Sequence, residues 1–211
     1  MPRCLYVVDP VSNLYTVDPA TASTRQVGTV GIGNVTDIAF HGPTLYGVSF
    51  SQLLRLDPDT GVGTSIGAIG FTTNGLAVAA DGTIYAGTTP AGQLVQINPV
   101  TGAGTLVGTF GAGLSSSGDL AFDSNDRLFG ALDQGGTVVL ASIDPSSGAA
   151  TVIGPTGVPN VYGLAFHCCR LYGTTDAGEL ADINVASGSA TVIGKNTLTQ
   201  WGMTAQSCCT C

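Results

Sequence analysis

Gly202-Met203-Thr204-Ala205, almost at the C-terminus, is a separated copy of an element that occurs four more times in the interior, and the N-terminus begins where that copy leaves off. A chain whose last segment supplies the missing start of its first repeat reads as a closed ring. A linear solenoid needs atypical caps at its ends and has no use for a sheet that both ends share.

The repeat has four parts. Its first element stands at Asp37-Ile38-Ala39-Phe40, Gly75-Leu76-Ala77-Val78, Asp119-Leu120-Ala121-Phe122 and Gly163-Leu164-Ala165-Phe166, besides the copy at 202–205. The second is Leu5-Tyr6, Leu45-Tyr46, Ile84-Tyr85, Leu128-Phe129 and Leu171-Tyr172. The third runs into a turn of the Asp-Pro-x-Thr-Gly kind at Asp18-Pro19, Asp57-Pro58, Asn98-Pro99 and Asp144-Pro145, degraded at Asn184-Val185. The fourth closes on Gly28, Gly67, Gly108, Gly154 and Gly194.

First elements at 37, 75, 119, 163 and 202 are 38, 44, 44 and 39 residues apart, and periods of about 40 to 50 with four strand-like runs each indicate propeller blades. The apolar runs are short, often alternating, and bounded by Gly, Pro, Asn, Asp or Ser, which is strand punctuation. The expected fold is all-β: a single five-bladed β-propeller domain over 1–211, four strands per blade. Its blades fall at about 202–206 with 4–34, then 35–74, 75–117, 118–162 and 163–201.

Only 9% of residues are charged, against about 25% in ordinary soluble domains, so Ser, Thr, Asn and Gln must carry the surface. Net charge is −8, Lys195 is the sole lysine and the arginines are scattered. Nucleic acid is therefore excluded as a partner, since phosphate binding needs clustered basic residues. The apolar runs fall short of the about 20 residues of a membrane-spanning helix, so no membrane insertion is expected. Met1-Pro2-Arg3 leads directly into a strand without a signal-peptide pattern.

The repeat also places the six cysteines. Cys168 and Cys169 follow the first strand of their blade, Cys208 and Cys209 follow the terminal first strand at nearly the same offset, and Cys4 precedes the second strand of the seam blade. First-to-second loops share one face of a propeller, so all six, with Cys211, are expected to cluster there. An even count and a weakly charged, hydroxyl-rich chain suit disulfides in an oxidising, extracellular or cell-surface setting. A soft metal site with His167 and free or intermolecular thiols are the alternatives; no CxxC spacing supports the metal, and none is expected.

Carboxylates repeated from blade to blade are read as turn caps, because Asp closes its own turn, Pro presets φ and Gly accepts φ > 0. Residues that break the repeat are better candidates for function. Tyr162 and Trp201 stand just before the first strand, where the other blades carry Thr36, Asn74 and Gly118, and Asp37 and Asp119 replace glycine inside it. The two rings are expected at the channel mouth opposite the cysteines, as a platform for a sugar or another apolar face. The two carboxylates would point into the channel, free or satisfied by backbone N–H groups. The histidines, His41 and His167, sit in loops with no nucleophile constellation around them, and no phosphate loop is present. No catalytic residues and no cofactor are expected.

The units running from Leu45-Tyr46-Gly47 through Leu56-Asp57-Pro58-Asp59-Thr60-Gly61 to Ile66-Gly67 resemble the repeats of secreted bacterial β-propellers with an LYG…IDPxTGxxTxIG pattern, over nearly the whole chain. The blade number is similar to that of five-bladed tachylectin-type lectins. The first likeness implies fold, and the second implies architecture without any sugar-site residue. The expected function is a non-enzymatic, disulfide-stabilised extracellular module that associates with copies of itself. The alternative is a lectin-like binder of glycans or another ligand around Tyr162 and Trp201.

Overall fold

A computed structural model describes residues 5–206, and the chain forms twenty strands in five antiparallel four-stranded sheets without a helix among these residues. The seam sheet joins both ends of the chain: β20 (Met203–Ala205) pairs with β1 (Leu5–Val8), followed by β2 (Asn13–Val17) and β3 (Thr24–Thr29). The second holds β4 (Val35–His41), β5 (Thr44–Ser49), β6 (Gln52–Leu56) and β7 (Gly63–Ala68). The third holds β8 (Thr73–Val78), β9 (Ile84–Thr88), β10 (Gln93–Ile97) and β11 (Gly104–Thr109). The fourth holds β12 (Leu114–Phe122), β13 (Leu128–Gln134), β14 (Thr137–Ile143) and β15 (Ala150–Pro155). The fifth holds β16 (Val161–His167), β17 (Arg170–Thr175), β18 (Glu179–Ile183) and β19 (Ala190–Lys195). These are the blades of a five-bladed propeller, and the seam closes as the sequence requires.

The period of two along each strand divides its apolar residues between the two neighbouring blades. In β1, Tyr6 and Val8 join the core shared with the second blade, while Leu5 and Val7 join the one shared with the fifth. Five such cores, one per junction, replace a single centre. The strands β4, β8, β12, β16 and β20 lie next to one another around the axis, and β3, β7, β11, β15 and β19 form the half-exposed rim.

Each rim strand carries a β-bulge at the same place. Pairing steps from Leu14↔Gly28 to Tyr15↔Gln26, which leaves Val27 as an extra residue; Ile66, Val107, Ile153 and Ile193 are its counterparts. The bulge turns the odd side chain towards the next blade, and all five pack on the adjoining core. The glycine after the bulge then meets the turn of that blade. A Cβ on Gly108 would lie 1.8 Å from the Ser147 carbonyl oxygen, and Gly28, Gly67 and Gly154 meet Thr60, Thr101 and Ser187 in the same way. At the seam Gly194 meets Thr21 at a looser 2.9 Å, and the turn's glycine is replaced there by Ala22, with φ of 60°.

The repeat's closing glycine and its Asp-Pro-x-Thr-Gly turn are thus two halves of one inter-blade contact. Gly108→Ala is expected to force the turn at 144–148 outwards and to lower stability by about 2 kcal/mol, as overpacking does. Gly194→Ala should cost less. Denaturant midpoints check both, and an unchanged midpoint for Gly108→Ala would show that the contact opens freely.

Candidate functional site

At the axis the five central strands present one backbone N–H each from Ile38, Leu76, Leu120, Leu164 and Met203, and two carboxyl groups take all five. Asp37 accepts from Ile38 at 2.7 Å and Leu76 at 2.6 Å. Asp119 accepts from Leu120 at 2.6 Å, Leu164 at 2.7 Å and Met203 at 3.1 Å. Both side chains are fully buried and hydrogen-bonded to each other, which requires a proton between them. Burial raises both pKa values, Asp37 well above the ordinary carboxyl range and Asp119 to about 7. Asp119 has the larger share of donors and is the partner that ionises first.

Glycine fills the three remaining places in this layer because there is no room for more. A Cβ at Gly202 would lie 2.2 Å from Asp37 Oδ1, and one at Gly163 would lie 2.3 Å from Thr174 Oγ1. Two carboxyl groups and three glycines therefore plug the channel and divide it into two cavities.

The cavity on one side is lined by the residues that precede the plug. Tyr162 and Trp201 share it with Thr36, Asn74, Ser117, Gly118 and Phe50, around a volume of about 220 Å³. The structure brings the two sequence-selected rings together at the channel mouth, while Asp37 and Asp119 lie beneath the wall and not in it. Phe50, in the turn between β5 and β6, packs edge-on to Trp201 with ring centroids 6.4 Å apart. Asn74 donates to the Ser116 carbonyl at 3.1 Å, which leaves its buried Oδ1 without a hydrogen-bond partner. The Tyr162 pKa is raised by burial and then by the charge of Asp176. No charged side chain lines the cavity.

On the other side the same strands end in Phe40, Val78, Phe122, Phe166 and Ala205, which line a cavity of about 100 Å³. Cys168 and Cys169 lie beyond that end, where the sequence put them. They form the two-residue connection between β16 and β17 with φ of 48° and 63°, a hairpin geometry that usually selects Asn-Gly. Neither is a free thiol, and Cys168 Sγ lies 3.2 Å from His167 Nε2. Cys4, Cys208, Cys209 and Cys211 lie outside the described residues. Among the described residues no group of three or more His, Cys, Asp or Glu side chains is placed to hold a metal.

The repeated turn carboxylates cap their own turns. Asp57 Oδ1 accepts from the N–H groups of Asp59 and Thr60 at 2.8 and 3.0 Å, and Asp144 Oδ1 accepts from Ser146 at 2.9 Å. These bonds hold the pKa of Asp57 low, with the Ser146 and Ser147 side chains doing most of this for Asp144. Sequence reasoning missed Phe50 and Asn74. Asn74 stands at the same repeat position as Tyr162 and Trp201 and could have been found there; Phe50 comes from a connecting loop and carries no such signal.

No family model and no curated protein sequence matches this chain. Its fold is similar to a chain in the crystal structure of a nidogen/laminin complex, with a TM-score of 0.68 and 11% identity over 98% of this chain and 99% of that one. It is also similar to a structural genomics protein of unknown function from Bacteroides thetaiotaomicron VPI-5482, with a TM-score of 0.59 and 11% identity over 90% of this chain and 56% of that one. At such identity the likeness shows the propeller fold alone.

Proposed function

We propose that this chain is a non-enzymatic extracellular interaction module that associates with copies of itself and is stabilised by disulfides. The observation that carries self-association is an uncharged arc on the rim. At one equivalent position of three successive rim strands stand Leu106, Val152 and Val192, exposed by 49%, 38% and 44%, where the other two blades have Gln26 and Ser65. Copies with a net charge of −8 repel through most of their surface, and an arc of valine, leucine and threonine is where they can approach. Bulges and Pro155 work against backbone pairing along the rim, so the contact uses side chains. Propeller use in protein complexes supports the reading by analogy, since the similar nidogen/laminin chain comes from one.

Cys168 and Cys169 support the disulfide part. They occupy left-handed backbone positions, with φ of 48° and 63°, that cost a non-glycine residue about 1 kcal/mol each, a cost that covalent ties would offset. The non-enzymatic reading is supported by the plug, whose carboxyl oxygens all accept backbone N–H groups. Sedimentation velocity over a range of concentrations tests the proposal: the native protein should form multimers, and the triple variant Leu106→Ser, Val152→Thr, Val192→Thr should be monomeric. A native protein that is monomeric throughout would overturn it.

A second reading, a ligand-binding propeller in the manner of a lectin, is favoured by one observation: Tyr162 and Trp201 line the same cavity.

A further inference from the structure

We propose that the fifth blade and the seam blade hold buried water between them, bound by the Thr174 hydroxyl and the Gln200 side-chain amide. The repeat brings three positions together where two blades meet: one on the second strand, one two residues after the closing glycine, and one at the start of the next blade's inner strand. Between the third and fourth blades these are Gly87, Phe110 and Ser116, and a Cβ on Gly87 would lie 2.9 Å from Ser116 Oγ and 3.6 Å from the Phe110 ring. Between the seam blade and the second they are Val8, Val30 and Val35, which share one apolar core.

Between the fifth blade and the seam blade all three are polar: Thr174, Asn196 and Gln200. Thr174 pairs with Gly163 as Gly87 pairs with Gly75. Asn196 follows Gly194 by two residues as Phe110 follows Gly108, and Gln200 precedes Gly202 by two as Val35 precedes Asp37. Asn196 has partners, since its Nδ2 donates to the Ala22 carbonyl at 3.0 Å and its Oδ1 accepts from the Leu198 N–H at 2.9 Å. The other two residues are wholly buried, and Thr174 Oγ1, Gln200 Oε1 and Gln200 Nε2 have no hydrogen-bond partner among the described residues.

The two side chains therefore do not bond each other. Buried polar groups are satisfied by protein or by ordered water, and a hydroxyl beside an amide offers the two to four donors and acceptors that a buried water takes up. None of the three positions carries a charge, so the ligand is water and not an ion.

Oxygen-17 magnetic relaxation dispersion, which detects waters held for longer than the protein tumbles, tests this on the native protein and on the double variant Thr174→Val, Gln200→Leu. The native protein should show at least one more long-lived water per chain than the variant. Thr174→Val alone withdraws one partner and leaves the amide, so it should keep the fold by circular dichroism and melt about 2 to 4 °C lower. Equal dispersion per chain in the native protein and the double variant would overturn the proposal. A higher melting temperature for Thr174→Val would also overturn it, because that is the effect of removing a hydroxyl that is dry and unpaired.

Discussion

A chain ending at Trp201 is expected to lose its fold and to be recovered as aggregate, whereas a chain ending at Gln206 should fold. The first lacks β20, and the loss is larger than three residues suggests. Leu5, Tyr6 and Val7 forfeit their partners Ala205, Thr204 and Met203, and β1, buried along its whole length, becomes an open edge able to pair with other chains. Met203 leaves the core between the fifth and first blades, where truncating a buried methionine alone costs about 2 to 5 kcal/mol. Its N–H also leaves Asp119, and the Phe40 N–H loses its 3.2 Å bond to Thr204 Oγ1. These losses together exceed the roughly 5 to 15 kcal/mol margin of an ordinary domain only if they act on one cooperative unit, and a ring provides that. Melting and size-exclusion profiles of the two chains decide the matter, and a folded monomer ending at Trp201 would remove the seam from the account of stability.

The ring and its seam were legible because a propeller repeats its local rules. A strand of Leu-Ala-Phe type, a Leu-Tyr strand, an Asx-capped turn and a closing glycine recur in order, and the offset of the terminal copy states where the sheet is shared. The same repetition identified Asp57 and Asp144 as turn residues, and their bonds to backbone N–H groups confirm it. What local rules do not contain is distance across the ring. Asp37 and Asp119 were visible as exceptions to glycine, but a whole blade lies between them in sequence, and only closure sets one against the other. Phe50 reaches the mouth for the same reason: the turn after β5 happens to overhang Trp201. The inter-blade contact of Gly108 with Ser147 is likewise a relation between neighbouring repeats, although each half is plain within its own.

Asp119→Ala is expected to cost about 3 kcal/mol, because three buried N–H groups lose their acceptor at about 1 kcal/mol or more each. Relief of a buried charge offsets part of this, and that charge makes the stability depend on pH. Both carboxyl groups have folded pKa values above the 3.8 of the free group, Asp119 at about 7. The folded state therefore holds protons that the unfolded chain has released. The resulting stabilisation is complete below about pH 4 and is lost as pH rises through about 7. Depressed carboxylates such as Asp57, Asp81, Asp123 and Asp144 act oppositely, and their contribution falls away only in more acidic solution. The native melting temperature should thus decline from about pH 5 to about pH 8. Asp37→Asn supplies a permanent donor to Asp119 but one acceptor fewer for the N–H groups of Ile38 and Leu76. It should melt lower than the native protein at about pH 5 and show a flatter decline towards about pH 8. A native melting temperature that rises across this range, or a variant with the native slope, would show that the proton between Asp37 and Asp119 does not control the ring.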